Sequence, residues 1–103
     1  MNKIDEKARL TELLTACPVA LYETEHTPEN QKDVLALLVH PTAGWTWKVY
    51  EAEPCESNSG DWRCFGRVDG FESELGYFYA DEVLDTGAQV LSPDEAMIFG
   101  FDR

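Results

Sequence analysis

Positive charge is what this chain has least of: eight Lys and Arg stand against twenty Asp and Glu, a net charge of −12 over 103 residues. The imbalance is uneven. Residues 1–50 carry five basic and seven acidic side chains, residues 51–103 carry three and thirteen, so the second half alone holds −10. Nucleic acid and anionic membranes are both held through cationic contacts, so direct binding to either is not expected. Cysteine is scarce and poorly spaced for pairing. Cys17, Cys55 and Cys64 are odd in number and form no C-x-x-C pair, which argues against a disulfide framework and for reduced thiols in a cytoplasmic protein. Zinc ligands usually come in pairs about two to four residues apart. His40, Cys17, Cys55 and Cys64 lack that spacing, and no metal or cofactor is expected. Long apolar runs are missing too. The longest, VLALLV at 34–39, falls far short of the roughly 20 residues a membrane helix needs. The opening residues MNKIDE are charged and lead into a helical pattern, unlike a signal peptide. His26 and His40 stand in no local nucleophile signature, so no catalytic residue is assigned and the chain is read as a non-enzyme.

What the chain does have is aromatic rings (three Trp, four Tyr and five Phe) and an apolar fraction of 44%. Both fit one folded domain over 1–103. Leu10, Leu13, Leu14 and Cys17, extended by Ile4, predict an amphipathic helix over 3–16 that Pro18 stops. Residues 23–33 read as a polar surface loop. Val34 to His40, apolar on both faces, reads as an interior strand. The turn PTAG at 41–44 then leads into Trp45–Glu51, whose alternation sets Trp45, Trp47 and Val49 against Thr46, Lys48 and Tyr50. The two strands form an antiparallel hairpin. Trp62–Asp69 is the third strand, and Gly66 inside it marks a bulge or a close approach. Glu74–Tyr79 is the fourth. A short helix at Asp81–Asp85 is closed by Gly87. Ser92, Pro93 and Glu95 have the chemistry of a helix start, and Ala96–Phe101 reads as a last strand or a tail packed by Ile98 and Phe101. The expected fold is α+β: an N-terminal helix packed on a four- to five-stranded, mainly antiparallel sheet, with a short helix after the fourth strand.

The segments HPTAGWTW at 40–47, FGRV at 65–68 and ELGYF at 74–78 resemble a family of small bacterial domains of unknown function that recur on plasmids, phages and other mobile elements. The resemblance covers about residues 34–85. It departs near the C-terminus, where that family is more basic and this chain carries Asp94, Glu95 and Asp102. It implies a fold and a mobile-element setting, and it brings no catalytic residues.

Two functional sites follow from the residues. The first is the acidic surface: Glu51, Glu53, Glu56 and Asp61, then Asp69, Glu72, Glu74, Asp81, Glu82 and Asp85. Duplex DNA carries about one negative charge per 1.7 Å of axis, and carboxylates at comparable density can occupy a basic cleft. The expected function is an acidic, non-enzymatic protein-binding module. It would inhibit a nucleic-acid-binding host defence protein, such as a restriction or CRISPR-type nuclease, by covering its basic surface as a monomer or small homo-oligomer. The alternative is a small-molecule or catalytic site at the turn of His40, Trp45 and Trp47. Each has a structural counterpart. Carboxylates also serve solubility, indoles fill small cores, with Trp62 the one expected to stay partly exposed, and His40 can bond its own turn. Cys64 can be a buried small hydrophobe. Glu74 is expected to pair with Arg63 or Arg67 across the sheet. A third possibility is a subunit of a larger assembly that docks through Ile98–Phe101.

Overall fold

The structure, a computed structural model, describes residues 2–98. Helix α1 spans Lys3–Ala16. Asn2 caps it, its side-chain oxygen accepting the Asp5 N–H at 3.0 Å. Asp5 and Glu6 fill the first turn, where free N–H groups and the helix dipole favour negative charge. The buried stripe is Glu6, Leu10 and Leu14. Two residues expected on it are elsewhere. Ile4 is 77% exposed, because at about 100° per residue it lies ~120° round the helix from Leu10. Cys17 is exposed, because it sits past the last helical residue with φ −134°. Glu6 takes the place expected of Ile4, its Oε2 accepting the Val90 N–H at 2.8 Å.

The strands are β1 (Ala36–Val39), β2 (Thr46–Pro54), β3 (Trp62–Asp69), β4 (Ser73–Tyr79) and β5 (Gln89–Leu91). They form one antiparallel sheet in the order β4-β3-β2-β1-β5. β1 is interior as its sequence requires: Ala36, Leu37 and Leu38 are all buried. Gly44 supplies the left-handed residue of the β1–β2 turn, with φ +78°. Helix α2 (Ala80–Asp85) follows β4 directly, and Gly87 at φ +95° ends that segment. α1 packs over β5 and β1 and against α2, which sits over β3 and β4. Between helices and sheet lies the core: Leu10, Leu14, Leu38, Trp47, Val49, Cys64, Val83, Leu84 and Val90.

The last segment differs from expectation. Pro93–Ile98 is helix α3, not a strand. Ser92 Oγ accepts the Glu95 N–H at 3.1 Å, and Glu95 Oε1 accepts the Ser92 N–H at 2.9 Å. This reciprocal capping box fixes a helical start, and it overrides the apolar run that follows. Ile98 does not pack down; it is 80% exposed. Phe101 lies outside the described residues. The fifth strand is the short stretch Gln89–Leu91 instead, paired to β1.

β2 runs to Pro54 and contains a bulge. Val49 faces Gly66 and Glu51 faces Phe65, so Tyr50 is an extra residue in the ladder. One extra residue shifts the side-chain alternation by one. Ala52 therefore joins Trp47 and Val49 in the core, while Tyr50 and Glu51 both turn to the opposite face. Gly66 is the counterpart of the bulge: a Cβ there would lie 1.6 Å from the Lys48 carbonyl oxygen.

Candidate functional site

The ten carboxylates expected on one surface fall into three places. Glu51 and Asp61 are buried and serve the fold. Asp61 Oδ1 accepts the N–H of Trp62 at 2.7 Å and of Asp81 at 2.9 Å, which ties the 55–61 loop to the first turn of α2. Glu53, Glu56, Asp81, Glu82 and Asp85 lie at one end of β4. Of these, Asp81 and Asp85, with Cys55, Asn58, Tyr79 and Glu82, line an open depression of 410 Å³. Lys7 pairs with Asp81 at 3.0 Å and Lys3 with Asp85 at 2.6 Å; Glu53, Glu56 and Glu82 are exposed. Asp69, Glu72 and Glu74 lie at the other end of β4. There Glu72 and Glu74 share a 280 Å³ depression with Trp45, Val68 and Phe71. The two groups stand about 20 Å apart, the length of a seven-residue strand. Glu74 pairs with neither Arg63 nor Arg67. It faces Val68 in the register, while Arg67 is drawn to Glu29 and Arg63 stacks over Tyr77.

Glu51 was expected in the acidic surface and is instead 2% exposed. Its Oε1 accepts the Tyr22 N–H at 2.7 Å, and its Oε2 accepts the Thr24 N–H at 3.1 Å and the Thr24 hydroxyl. The Lys32 ammonium lies 4.0 Å away and donates to Thr24 Oγ1 at 2.8 Å. A few residues along, the Glu29 carboxylate accepts from Arg67 Nε at 2.9 Å and from the Tyr50 hydroxyl at 2.8 Å. The Arg67 guanidinium holds the Glu29 carboxyl down to about 2. Burial, then the Glu29 carboxylate, pushes the Tyr50 hydroxyl well above its usual range. The segment 23–33 is a polar surface loop, and through Thr24, Glu29 and Lys32 it also covers the back of the sheet. No local motif announces this, because its partners Tyr50, Glu51 and Arg67 are supplied by β2 and β3.

Next to that cover is an aromatic patch the sequence reading missed. β4 turns Leu75, Tyr77 and Tyr79 to the back face, all exposed. The Tyr77 ring lies 5.0 Å from Phe65 and 6.2 Å from Tyr22, with the Arg63 guanidinium 4.9 Å from its centroid. Tyr22 has φ +69°, the one left-handed non-glycine residue among those described, a conformation that costs about 1–3 kcal/mol. Glu51 holds it there through the Tyr22 N–H. The alternation of ELGYFY was the available signal: a strand whose one face is Leu, Tyr, Tyr and whose other face is Glu, Gly, Phe cannot bury both.

The turn at 40–47 is built from its own bonds. His40 Nδ1 accepts the Ala43 N–H at 3.0 Å, and Nε2 lies 2.9 Å from the Thr86 carbonyl. A carbonyl can only accept, so the proton sits on Nε2 and both ring nitrogens are occupied. Trp47 is core, 8% exposed. Trp45 packs 5.9 Å from Trp47 and edge-on to Phe71 at 5.3 Å, over Gly70, where a Cβ would come within 2.5 Å of the indole. Trp62 is half-buried, its Nε1 donating to Thr11 Oγ1 at 3.1 Å. Burial raises the thiol of Cys64, and burial with the charges of Asp61 and Asp81 raises that of Cys55; neither is a ready thiolate. Among the described residues no three His, Cys, Asp or Glu gather as a metal site. No family model, curated protein or solved structure matches the chain.

Proposed function

We propose that the chain is a non-enzymatic, acidic protein-binding module that occupies the basic surface of a nucleic-acid-binding protein. One observation carries the reading: most of the cations are paired within the chain while five glutamates stay exposed. Of the seven Lys and Arg among the described residues, Lys3, Lys7, Arg9, Lys32 and Arg67 each pair with a carboxylate of the same chain. Glu53, Glu56, Glu72, Glu74 and Glu82 remain exposed, in two groups that flank β4. Such a field steers a basic partner and repels nucleic acid. The resemblance of the 40–47 and 74–78 segments to mobile-element domains supports a host defence protein as the target. The bonded nitrogens of His40 and the burial of Trp47 favour this reading over a ligand site at that turn.

The test is capture of partners from a nuclease-treated bacterial lysate, followed by binding of the purified partner between about 0.05 and about 0.5 M salt, where screening shortens the reach of charge severalfold. A basic nucleic-acid-binding partner that weakens steeply with salt, and weakens again with Glu56→Lys and Glu82→Lys, is the expected result. Binding that ignores both salt and charge reversal overturns the reading.

A further inference from the structure

β4 is an edge strand with nothing paired to its outer side among the described residues. Edges of this kind are normally blunted by Lys, Pro, a bulge or shortness. The opposite edge, β5, is three residues long and has α3 packed against it. β4 is seven residues long, has no Lys or Pro, and pairs with β3 in unbroken register from Ser73 to Tyr79. Its back face presents Leu75, Tyr77 and Tyr79, with the Tyr77 ring braced by Phe65, Tyr22 and Arg63. Tyrosine and arginine are the side chains that most often carry binding energy. Rings already packed lose less freedom when a partner arrives. The left-handed Tyr22, held by a buried carboxylate, adds an outlier at the same spot.

We propose that β4 is a docking edge that takes an extended segment of a partner protein as a sixth strand. The segment has alternating apolar side chains over Leu75, Tyr77 and Tyr79, and Lys or Arg at both ends. Charge complementarity selects this occupant. Glu72 and Glu74 stand at one end of the edge, and Asp81, Glu82 and Asp85 at the other. A second copy of this chain brings a net charge of −12 and sets carboxylates against carboxylates at both ends. The inference rests on the acidic protein-binding reading and names how that partner is held: backbone bonds to the edge give affinity, alternate side chains give selectivity.

The probe is a blocked, fluorescent peptide, Lys-Arg-Val-Thr-Val-Thr-Val-Lys-Arg. Its control is the isomer Lys-Arg-Val-Val-Val-Thr-Thr-Lys-Arg, with the same charge and ends but no alternation. Anisotropy titration at low salt is expected to give at least about tenfold tighter binding of the alternating peptide, a difference of about 1.4 kcal/mol. That peptide should slow amide exchange over Ser73–Tyr79. Tyr77→Ser, and Leu75→Ser as a second variant, should remove the preference while the melting temperature holds. Equal binding of the two peptides overturns the docking edge and leaves the acidic-module reading standing. Failure of both peptides to bind at low salt overturns the inference and counts against that reading as well. A dimer by sedimentation, with Ser73–Tyr79 amides already protected, assigns the edge to a second copy and overturns the proposal.

Discussion

Replacing Glu51 by Gln tests the claim that this carboxylate is a structural clamp and not part of the surface charge. The glutamine oxygen can still accept the Tyr22 N–H. Its NH2 group then faces the Thr24 N–H, donor against donor. One buried N–H left without an acceptor costs about 1–3 kcal/mol. Lys32, whose side chain is 7% exposed, also loses its counter-charge, and removing one partner of a buried pair costs about 3–5 kcal/mol at full burial. Lys32 keeps Thr24 Oγ1 as an acceptor, so the combined loss is set near the low end, about 3 kcal/mol. For a chain near 100 residues, each kcal/mol moves the melting temperature by about 4–8 °C, so a drop of at least ~12 °C is expected by calorimetry. Glu53→Gln, two residues away and exposed, is the control and should stay within about 0.5 kcal/mol. Lys32→Met combined with Glu51→Gln should recover part of the loss, a coupling of about 1 kcal/mol or more. A Glu51→Gln variant that melts with the Glu53→Gln control would refute the clamp.

Gly66→Ala is expected to abolish folding or cost more than about 4 kcal/mol in urea, because the new methyl would sit 1.6 Å from the Lys48 carbonyl oxygen. Gly76→Ala, where nothing lies within 4 Å, should change stability by less than about 1 kcal/mol; equal losses would sink the account of the bulge. Glu29 has a folded-state pKa of about 2 against an ordinary 4.5, so its stabilisation is complete above 4.5 and fades as pH falls toward 2. Glu29→Gln should therefore be less stable than the parent at neutral pH and converge with it as acid is added; a gap in urea midpoints that stays constant down to about pH 3 would contradict the pairing with Arg67.

The fold was legible where local chemistry decides it. The spacing of Leu10, Leu13 and Leu14 with Pro18 as the stop gives α1, the alternation from Trp62 to Asp69 gives β3 to the residue, and Ser92 with Glu95 marks the start of α3. It was illegible where a distant contact decides. Gln89–Leu91 is too short to show a period and is a strand because β1 is there to pair with it. Met97 and Ile98 read as strand until the capping box of Ser92 and Glu95 claims them. The bulge at Tyr50 is invisible in TWKVYEAE because the break in alternation has no turn residue to mark it. The acidic surface could be read from composition down to its exposed members. Glu51 and Asp61 could not be separated from them, since what buries each is a donor in another segment: Thr24 and Tyr22 for one, the Asp81 N–H for the other. The aromatic patch was missed because Tyr22, Phe65 and Tyr77 meet only through the tertiary structure.

The extra residue in β2 makes the middle of the sheet sensitive to counting. Upstream of Tyr50 the odd positions are core, and beyond it the even position 52 is core, so β2 is written in two frames joined at one residue. Deleting that residue would leave composition and charge almost untouched and merge the two frames into one: Glu51 would follow Val49 on the back face and Ala52 would stay in the core. The ladder would then be regular, and the close approach of the Lys48 carbonyl that calls for a glycine at 66 would go with the bulge. Between positions 50 and 66 the dependence therefore runs one way: the extra residue can go alone, but a side chain at the second needs the first gone. A homologue with a side chain at the second should be one residue shorter at the first, a rule that any future set of relatives can check by counting letters.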